Sequence, residues 1–127
     1  MIYIVYRIQD ADGRGPWKPG FSNNWVEARE DHKNLTPWLE EFGPVHLNAL
    51  TGSHLGCACK TVDQLKRWFT VSEYQTLLDH GYSAVRLRVD RILAESDKQC
   101  VVSRSIPLRE CVTVFNLYPK NQISEVR

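Results

Sequence analysis

Cysteine and histidine are the residue types in this chain with the widest chemistry, because a thiol or an imidazole can bind a metal, attack an electrophile or move a proton. The chain has four of each. Cys57 and Cys59 are separated by one residue, whereas the cysteine pairs of zinc sites usually leave two to four between them. Free cysteine is among the most buried residue types. We therefore interpret both as buried free thiols and expect no metal.

The histidines are spread along the chain without metal-site spacing. His80 precedes Gly81 and suits the C-terminus of a helix, where a cation is favourable. His54 stands at the head of a predicted strand and is the histidine that would line a pocket, although a structural role fits it as well.

Several well-defined catalytic templates are missing from the sequence. It has no glycine-rich phosphate loop with Lys-Ser/Thr, no dinucleotide fingerprint, no His-Glu-x-x-His and no Gly-x-Ser-x-Gly, which excludes those classes. The segment Gly-Arg-Gly-Pro-Trp at residues 13–17 fits a turn stiffened by proline and a ligand loop equally well.

Composition indicates one folded unit. The chain has 127 residues, of which 43% are hydrophobic, and it carries a formal net charge of +1. We expect a single domain over residues 1–117 with a C-terminal tail at 118–127. The near-neutral charge makes nucleic acid an unlikely partner, even with arginines at positions 86, 88, 91 and 104. The start of the chain does not resemble an export signal and no apolar run approaches ~18 residues, so we expect a cytoplasmic protein with no membrane contact.

Local patterns predict an α+β fold, namely a single compact domain with a mixed or antiparallel sheet and two to four short helices. Strands are predicted at residues 2–8, 55–61, 82–93, 99–103 and 111–115. Two capping boxes, Thr61-Val-Asp-Gln64 and Thr70-Val-Ser-Glu73, predict helices over about 62–69 and 71–80. Thr36-Pro37 with Glu40 predicts the N-cap and first turn of another short helix.

The long irregular region at residues 9–52 is where we expect a ligand or partner surface, because long loops in compact domains tend to be functional. It contains three of the four tryptophans, Trp17, Trp25 and Trp38. Exposed on a protruding loop, these rings suit a partner-binding surface.

The order of elements resembles the ADP-ribosyltransferase-like fold. The features that carry the resemblance are a first strand ending in Tyr6-Arg7, a second strand ending at Thr61, where a helix opens, and a late strand beginning at Gln99. The chain also resembles, more loosely, small phage-encoded proteins with Tyr-Arg, Gly-Pro-Trp and Gln-Leu-x-x-Trp-Phe signatures.

The resemblance implies NAD as cofactor, with Arg7, Thr61 and His54 as binding residues. In that family an arginine of the first strand holds the dinucleotide and a Ser-Thr-Ser segment ends the second, and here Arg7 and the Thr61 hydroxyl match. The family's late-strand glutamate corresponds to Gln99, and Glu95, four residues earlier, would substitute, so these two are the catalytic candidates. Arg7 also fits a structural role, such as pairing with Asp90.

The sequence leaves two alternative functions for the chain. In the first, the chain is a small ADP-ribosyltransferase-like protein, phage or prophage encoded, that binds NAD and modifies or inhibits a host macromolecule. The alternative is a non-enzymatic inhibitor that binds a host defence complex directly through region 9–52, as anti-CRISPR proteins do. Tryptophans lining a cleft beside Arg7 would indicate a nucleotide site, whereas protruding ones would indicate the inhibitor.

Overall fold

The described residues form two three-stranded antiparallel sheets. The structure is a computed structural model that describes residues 2–17, 20–27 and 35–119. The first sheet has the order β1–β3–β6, with β1 at Tyr3–Gln9, β3 at Ser83–Val89 and β6 at Val112–Phe115. The second has the order β2–β5–β4, with β2 at His54–Ala58, β5 at Cys100–Arg104 and β4 at Arg91–Glu95. The predicted α+β class is confirmed, and the pairing is antiparallel where a mixed or antiparallel sheet was predicted, but the described strands form two sheets and not one.

In the described residues, an isolated β-bridge joins the two sheets. Tyr6 and Cys59 exchange two backbone hydrogen bonds of 2.8 Å, so the end of β2 runs antiparallel beside β1. This bridge places Arg7 of β1 near β2.

The alternating segment at residues 82–93 is two strands, not the single strand predicted. The chain leaves the first sheet after Val89 and enters the second at Arg91. The change from the first sheet to the second occurs at Asp90. Its N–H donates to the Ser103 carbonyl, and its carboxylate accepts from the Ser105 N–H. The alternation of apolar and polar residues does not indicate that the chain changes sheets, because the alternation continues through the change.

Three α-helices lie outside the sheets in the described residues: α1 at Trp38–Phe42, α2 at Val62–Trp68 and α3 at Val71–Asp79. Short 3₁₀ turns occupy Ser22–Asn24 and Val45–Asn48. In this part of the chain, no helix has the length and apolar character needed to cross a membrane.

Capping chemistry sets the starts of α2 and α3 as predicted. The Gln64 N–H donates to the Thr61 hydroxyl at 3.1 Å, and Thr70 with Glu73 forms a reciprocal capping box. The Thr36 prediction is wrong, because the N-cap of α1 is Pro37 and no side chain bonds there.

The packed chain extends slightly past the predicted boundary at residue 117. Leu117 is buried, and the Tyr118 ring packs against Tyr74 while its hydroxyl donates to the Phe69 carbonyl. The rest of the predicted tail, from residue 120, lies outside the described residues.

Candidate functional site

A cleft of about 390 Å³ opens beside β1 and β2, where the turn at residues 15–17 and the start of α1 face the two strands. Its lining is mainly apolar and aromatic, with Trp17, Trp38 and Trp68 among the lining residues. Arg7, Cys57 and Gln99 are also among the lining residues. Size and lining are those of a small-molecule site, for which 300–1,000 Å³ is the usual range.

Arg7 is a buried cation with unused hydrogen-bonding capacity. Only 5% of the residue is exposed, and its Nη2 donates to the Gly13 carbonyl at 3.2 Å. Its Nε and Nη1 have no acceptor among the described residues. Burial lowers the pKa of Arg7, while the neighbouring Cys57 thiol and Asp10 carboxylate act in the opposite direction. Because a buried charge without a full set of acceptors is costly, the Arg7 guanidinium carries a desolvation penalty in the fold.

Gly56 of β2 makes room for the Arg7 guanidinium. A Cβ at this position would lie 1.8 Å from Arg7 Nη1 and 2.8 Å from Leu108 Cδ1. The predicted pairing of Arg7 with Asp90 does not occur, since Arg7 turns toward β2 and Gly13.

The tryptophans divide between the cleft and the core. Trp17 is 46% exposed and lines the cleft, with its ring centroid 6.2 Å from that of Trp68. Trp38 is half-buried and lines the cleft as well. Trp25 is only 3% exposed and its Nε1 donates to the Pro16 carbonyl, so the ring lies in the core and not on an exposed surface, and its partner-binding role stays a prediction. Trp17 and Trp38 therefore lie at the cleft that Arg7 also lines.

Gln99, a lining residue of the cleft, binds the carboxylate of Glu41. Its Nε2 donates to the Thr36 carbonyl at 2.7 Å and to Glu41 Oε1 at 2.8 Å, and the residue is 4% exposed. Sequence reasoning missed Glu41, since nothing local links a helix residue to a strand residue 58 positions away.

Besides the core residue Trp25, three predicted site residues lie outside the cleft lining. Glu95 forms an ion pair of 2.8 Å with Lys60, and both side chains are about half exposed. Thr61 is exposed and caps α2, and His54 is exposed at the start of β2. The structure thus brings together Arg7, Gln99, Trp17 and Trp38 at one cleft, but not the other candidates.

The four cysteines are free thiols, as expected, but they differ in exposure. Cys59 is buried, whereas Cys57 is partly exposed and lines the cleft. In the described ranges, no group of three or more His, Cys, Asp or Glu residues could hold a metal ion.

A second cavity, of about 510 Å³, lies on the outer face of the first sheet. Exposed Arg86 and Arg88 line it together with Asp90 and Arg104. Arg104 is buried and donates to four backbone carbonyls, so its role there is structural. Arg86 is therefore a useful control for Arg7.

Over residues 1–110 the sequence matches the model of a family described as Bacteriophage T4 Y00F protein. The match covers most of the chain, so the chain belongs to this family and the predicted phage character is confirmed. No curated protein and no solved structure matches it. The resemblance to ADP-ribosyltransferases stays a prediction.

Proposed function

We propose that this phage protein binds NAD in the cleft beside Arg7, and that it is a small ADP-ribosyltransferase-like protein that modifies or inhibits a host macromolecule. The observation that carries the proposal is Arg7, a buried cation whose Nε and Nη1 lack acceptors at the wall of an aromatic cleft.

Arg7 is suited to a phosphate of the dinucleotide. The planar guanidinium offers paired donors that match phosphate oxygens, and such charge-assisted hydrogen bonds are stronger than neutral ones. A bound phosphate would accept from Nε and Nη1 once the guanidinium turned toward the cleft, because both nitrogens are buried in the fold described here. Because about 390 Å³ is near the lower end of the range for small-molecule sites, we expect the cleft to enclose one nucleotide half of NAD.

The tryptophans at the cleft are suited to the bases. Trp17 presents an exposed ring, and Trp38 lines the same cleft. Aromatic rings stack on nucleobases with an energy of about 1–3 kcal/mol per base. The tryptophan rings therefore suit the base of a nucleotide, and Arg7 suits its phosphate.

For the transfer step we assign the carboxylate to Glu41 and a positioning role to Gln99. Cleavage of a glycosidic bond develops positive charge on the sugar, which a nearby carboxylate stabilises. Glu41 is held by the Gln99 amide at the edge of the cleft, whereas Glu95 is held by Lys60 away from it.

Tryptophan fluorescence tests the binding proposal, because NAD next to Trp17 and Trp38 should quench emission saturably. Arg7→Met should abolish the saturable quenching, and Arg86→Met, which changes an arginine of the other cavity, should leave it intact. Equal quenching by NAD in both variants would contradict the assignment of the site.

The transfer assignment is tested by Glu41→Gln, with Glu40→Gln on the same helix as the matched control. We expect Glu41→Gln to keep NAD affinity within about threefold and to lose NAD cleavage by roughly 100-fold or more. Unchanged cleavage by Glu41→Gln would remove Glu41 from the mechanism.

Direct inhibition of a host defence complex is the second candidate function. Three leucines in and beyond α1, Leu39, Leu47 and Leu50, are each more than half exposed. Apolar side chains exposed close together in sequence suit a protein-binding surface. If this candidate holds, Leu47→Asp with Leu50→Asp should abolish inhibition of the host defence and Arg7→Met should not.

A further inference from the structure

Strand β6 is an edge strand of the first sheet. It pairs with β3 on one side, and on its other side the described residues place no strand. Thr113 and Val114 of β6 are exposed, Val114 to 65%. The free side of an edge strand presents backbone N–H and C=O groups that can pair with another chain.

The hydrogen-bond register places the backbone groups of Val114 on the free side of β6. Tyr6 exchanges its backbone hydrogen bonds with Cys59, so its N–H and C=O point away from β3. Tyr6 lies opposite Arg86, and Arg86 lies opposite Thr113. Because hydrogen-bonded and non-hydrogen-bonded pairs alternate in antiparallel sheets, Arg86 and Thr113 bond to each other and the next residue, Val114, points its N–H and C=O outward.

Two cations lie beside this edge. Arg86 and Arg88 are exposed and stand two residues apart on β3, so their side chains share one face of the sheet. Neither side chain forms an ion pair or a hydrogen bond with another described residue. The nearby carboxylate of Asp90 accepts from the Ser105 N–H. This face therefore carries positive charge that the described part of the fold leaves unpaired.

The cavity of about 510 Å³ connects these arginines to β6, because Arg86, Arg88 and Thr113 all line it. Since Arg86 and Thr113 are cross-strand partners, a residue added opposite Thr113 on a further strand would put its side chain on this same face. The backbone of that residue would lie two strand spacings, roughly 9–10 Å, from the Arg86 backbone. Arginine and glutamate are both long enough to meet across that gap.

We propose that β6 is a docking edge for an extended acidic segment of a partner protein. The segment adds a strand beside Val114 and places alternate carboxylates in the cavity, against Arg86 and Arg88. In strand addition, backbone hydrogen bonds supply affinity and alternate side chains supply selectivity. Charge complementarity identifies the occupant as acidic, because three arginines and one aspartate line the cavity.

Fluorescence anisotropy with labelled peptides tests the proposal on the full chain. The peptides are a repeat of Glu-Val, a repeat of Glu-Pro and a repeat of Lys-Val. Glu-Val should bind saturably and Lys-Val should not bind. Glu-Pro carries the same charge but lacks alternate N–H donors, so it should bind at least roughly tenfold more weakly. Equal binding of Glu-Val and Glu-Pro, or no binding of Glu-Val, would overturn the proposal.

Charge reversal tests the role of the arginines. Arg86→Glu combined with Arg88→Glu should lose Glu-Val binding and gain Lys-Val binding, a reversal that a folding defect does not produce. Arg109→Glu is the control, at an exposed arginine outside the cavity lining, and should change Glu-Val affinity by less than about threefold. Glu-Val binding that survives the double charge reversal would contradict the assignment.

Val114→Pro tests the edge itself. Proline removes an N–H that points away from β3, and edge strands tolerate it. The variant should weaken Glu-Val binding roughly five- to tenfold, whereas Val114→Ala, which keeps the N–H, should stay within about twofold. Urea unfolding checks that both variants fold. Equal affinities of the two variants for Glu-Val would rule out strand addition.

Nucleic acid is the competing occupant, because phosphates also pair with arginine. Labelled oligothymidylate should bind more weakly than Glu-Val. Tighter binding of oligothymidylate that the double charge reversal abolishes would assign the arginines to a nucleic acid and overturn the proposal. The proposal does not depend on NAD, because this cavity and the cleft beside Arg7 share no lining residue. Failure of NAD to bind changes none of these outcomes.

Discussion

Replacing Gly56 with alanine should displace the Arg7 guanidinium. The added Cβ would lie 1.8 Å from Arg7 Nη1, so the guanidinium must move by about 1.6 Å to reach the 3.4 Å of ordinary contact. Gly56 does not need a positive φ, so the backbone itself accepts alanine. Overpacking of this kind typically costs 1–3 kcal/mol, and we expect a loss of about 2 kcal/mol in the free energy of unfolding.

A double-mutant cycle isolates this contact. In an Arg7→Ala background the main clash is gone, and the remaining approach to Leu108 Cδ1 involves the movable end of a side chain. Gly56→Ala should then cost less than about 1 kcal/mol, partly offset by the lower chain entropy of alanine. The expected interaction energy between positions 7 and 56 is therefore about 1–2 kcal/mol.

Urea unfolding followed by tryptophan emission measures the free energy of unfolding of the unmodified protein, the two single variants and the double variant. The dependence of that free energy on urea concentration should be the same for all four. Gly15→Ala is the matched control, since its Cβ would lie 3.6 Å from Arg7 Nη2, an ordinary contact, and it should change stability by less than about 0.5 kcal/mol. The reasoning is refuted if Gly56→Ala costs the same with and without the arginine.

Three further outcomes are expected from the same unfolding assay. Arg7→Met should raise stability by about 1 kcal/mol, because it removes an unpaired buried charge; a loss of that size would show that Arg7 is satisfied in the fold. Burial raises the pKa of Cys100 from 9.0 to about 12, so the folded thiol keeps a proton that the unfolded thiol loses. Stability should fall from about pH 9 toward pH 12, with Cys100 contributing up to ~1.4 kcal/mol per pH unit, and a pH slope identical in Cys100→Ala would disprove its role. Thr61→Ala should cost about 1 kcal/mol through loss of the cap without changing NAD affinity; a tenfold weaker affinity would instead support Thr61 as a ligand.

Local chemistry made the helices predictable. The caps at Thr61 and Thr70 depend on residues three positions away, so α2 and α3 begin where the sequence indicates. Their ends lie within about one residue of the prediction, at Trp68 and Asp79. The N-cap predicted at Thr36 was wrong because Pro37, the next residue, is the N-cap of α1.

The sheets were less predictable, because the division of strands between them depends on contacts distant in sequence. Asp90 holds Ser103 and Ser105, and these contacts turn one apparent strand into two. The apolar and polar periodicity of residues 82–93 does not indicate that the segment divides into two strands.

The site was predicted in part. Arg7, Gln99, Trp17 and Trp38 were all chosen from the sequence, and the structure places them on one cleft. Glu41 was missed because it reaches the site only through a side-chain contact with another element.

Cys57 was misjudged for a related reason. Its residue type favours burial, and only the cleft beside Arg7 leaves it accessible. Thr61, His54 and Glu95 were placed by element order or position in the chain, which does not determine where a side chain points.

Calorimetric titration with NAD tests the central claim most directly, using the unmodified chain, Arg7→Met and Arg86→Met, each shown to unfold cooperatively. We predict one NAD per chain for the unmodified protein and Arg86→Met, and no detectable heat of binding for Arg7→Met. Absence of binding by the unmodified protein, or equal binding by Arg7→Met, would contradict the claim that the Arg7 cleft is an NAD site.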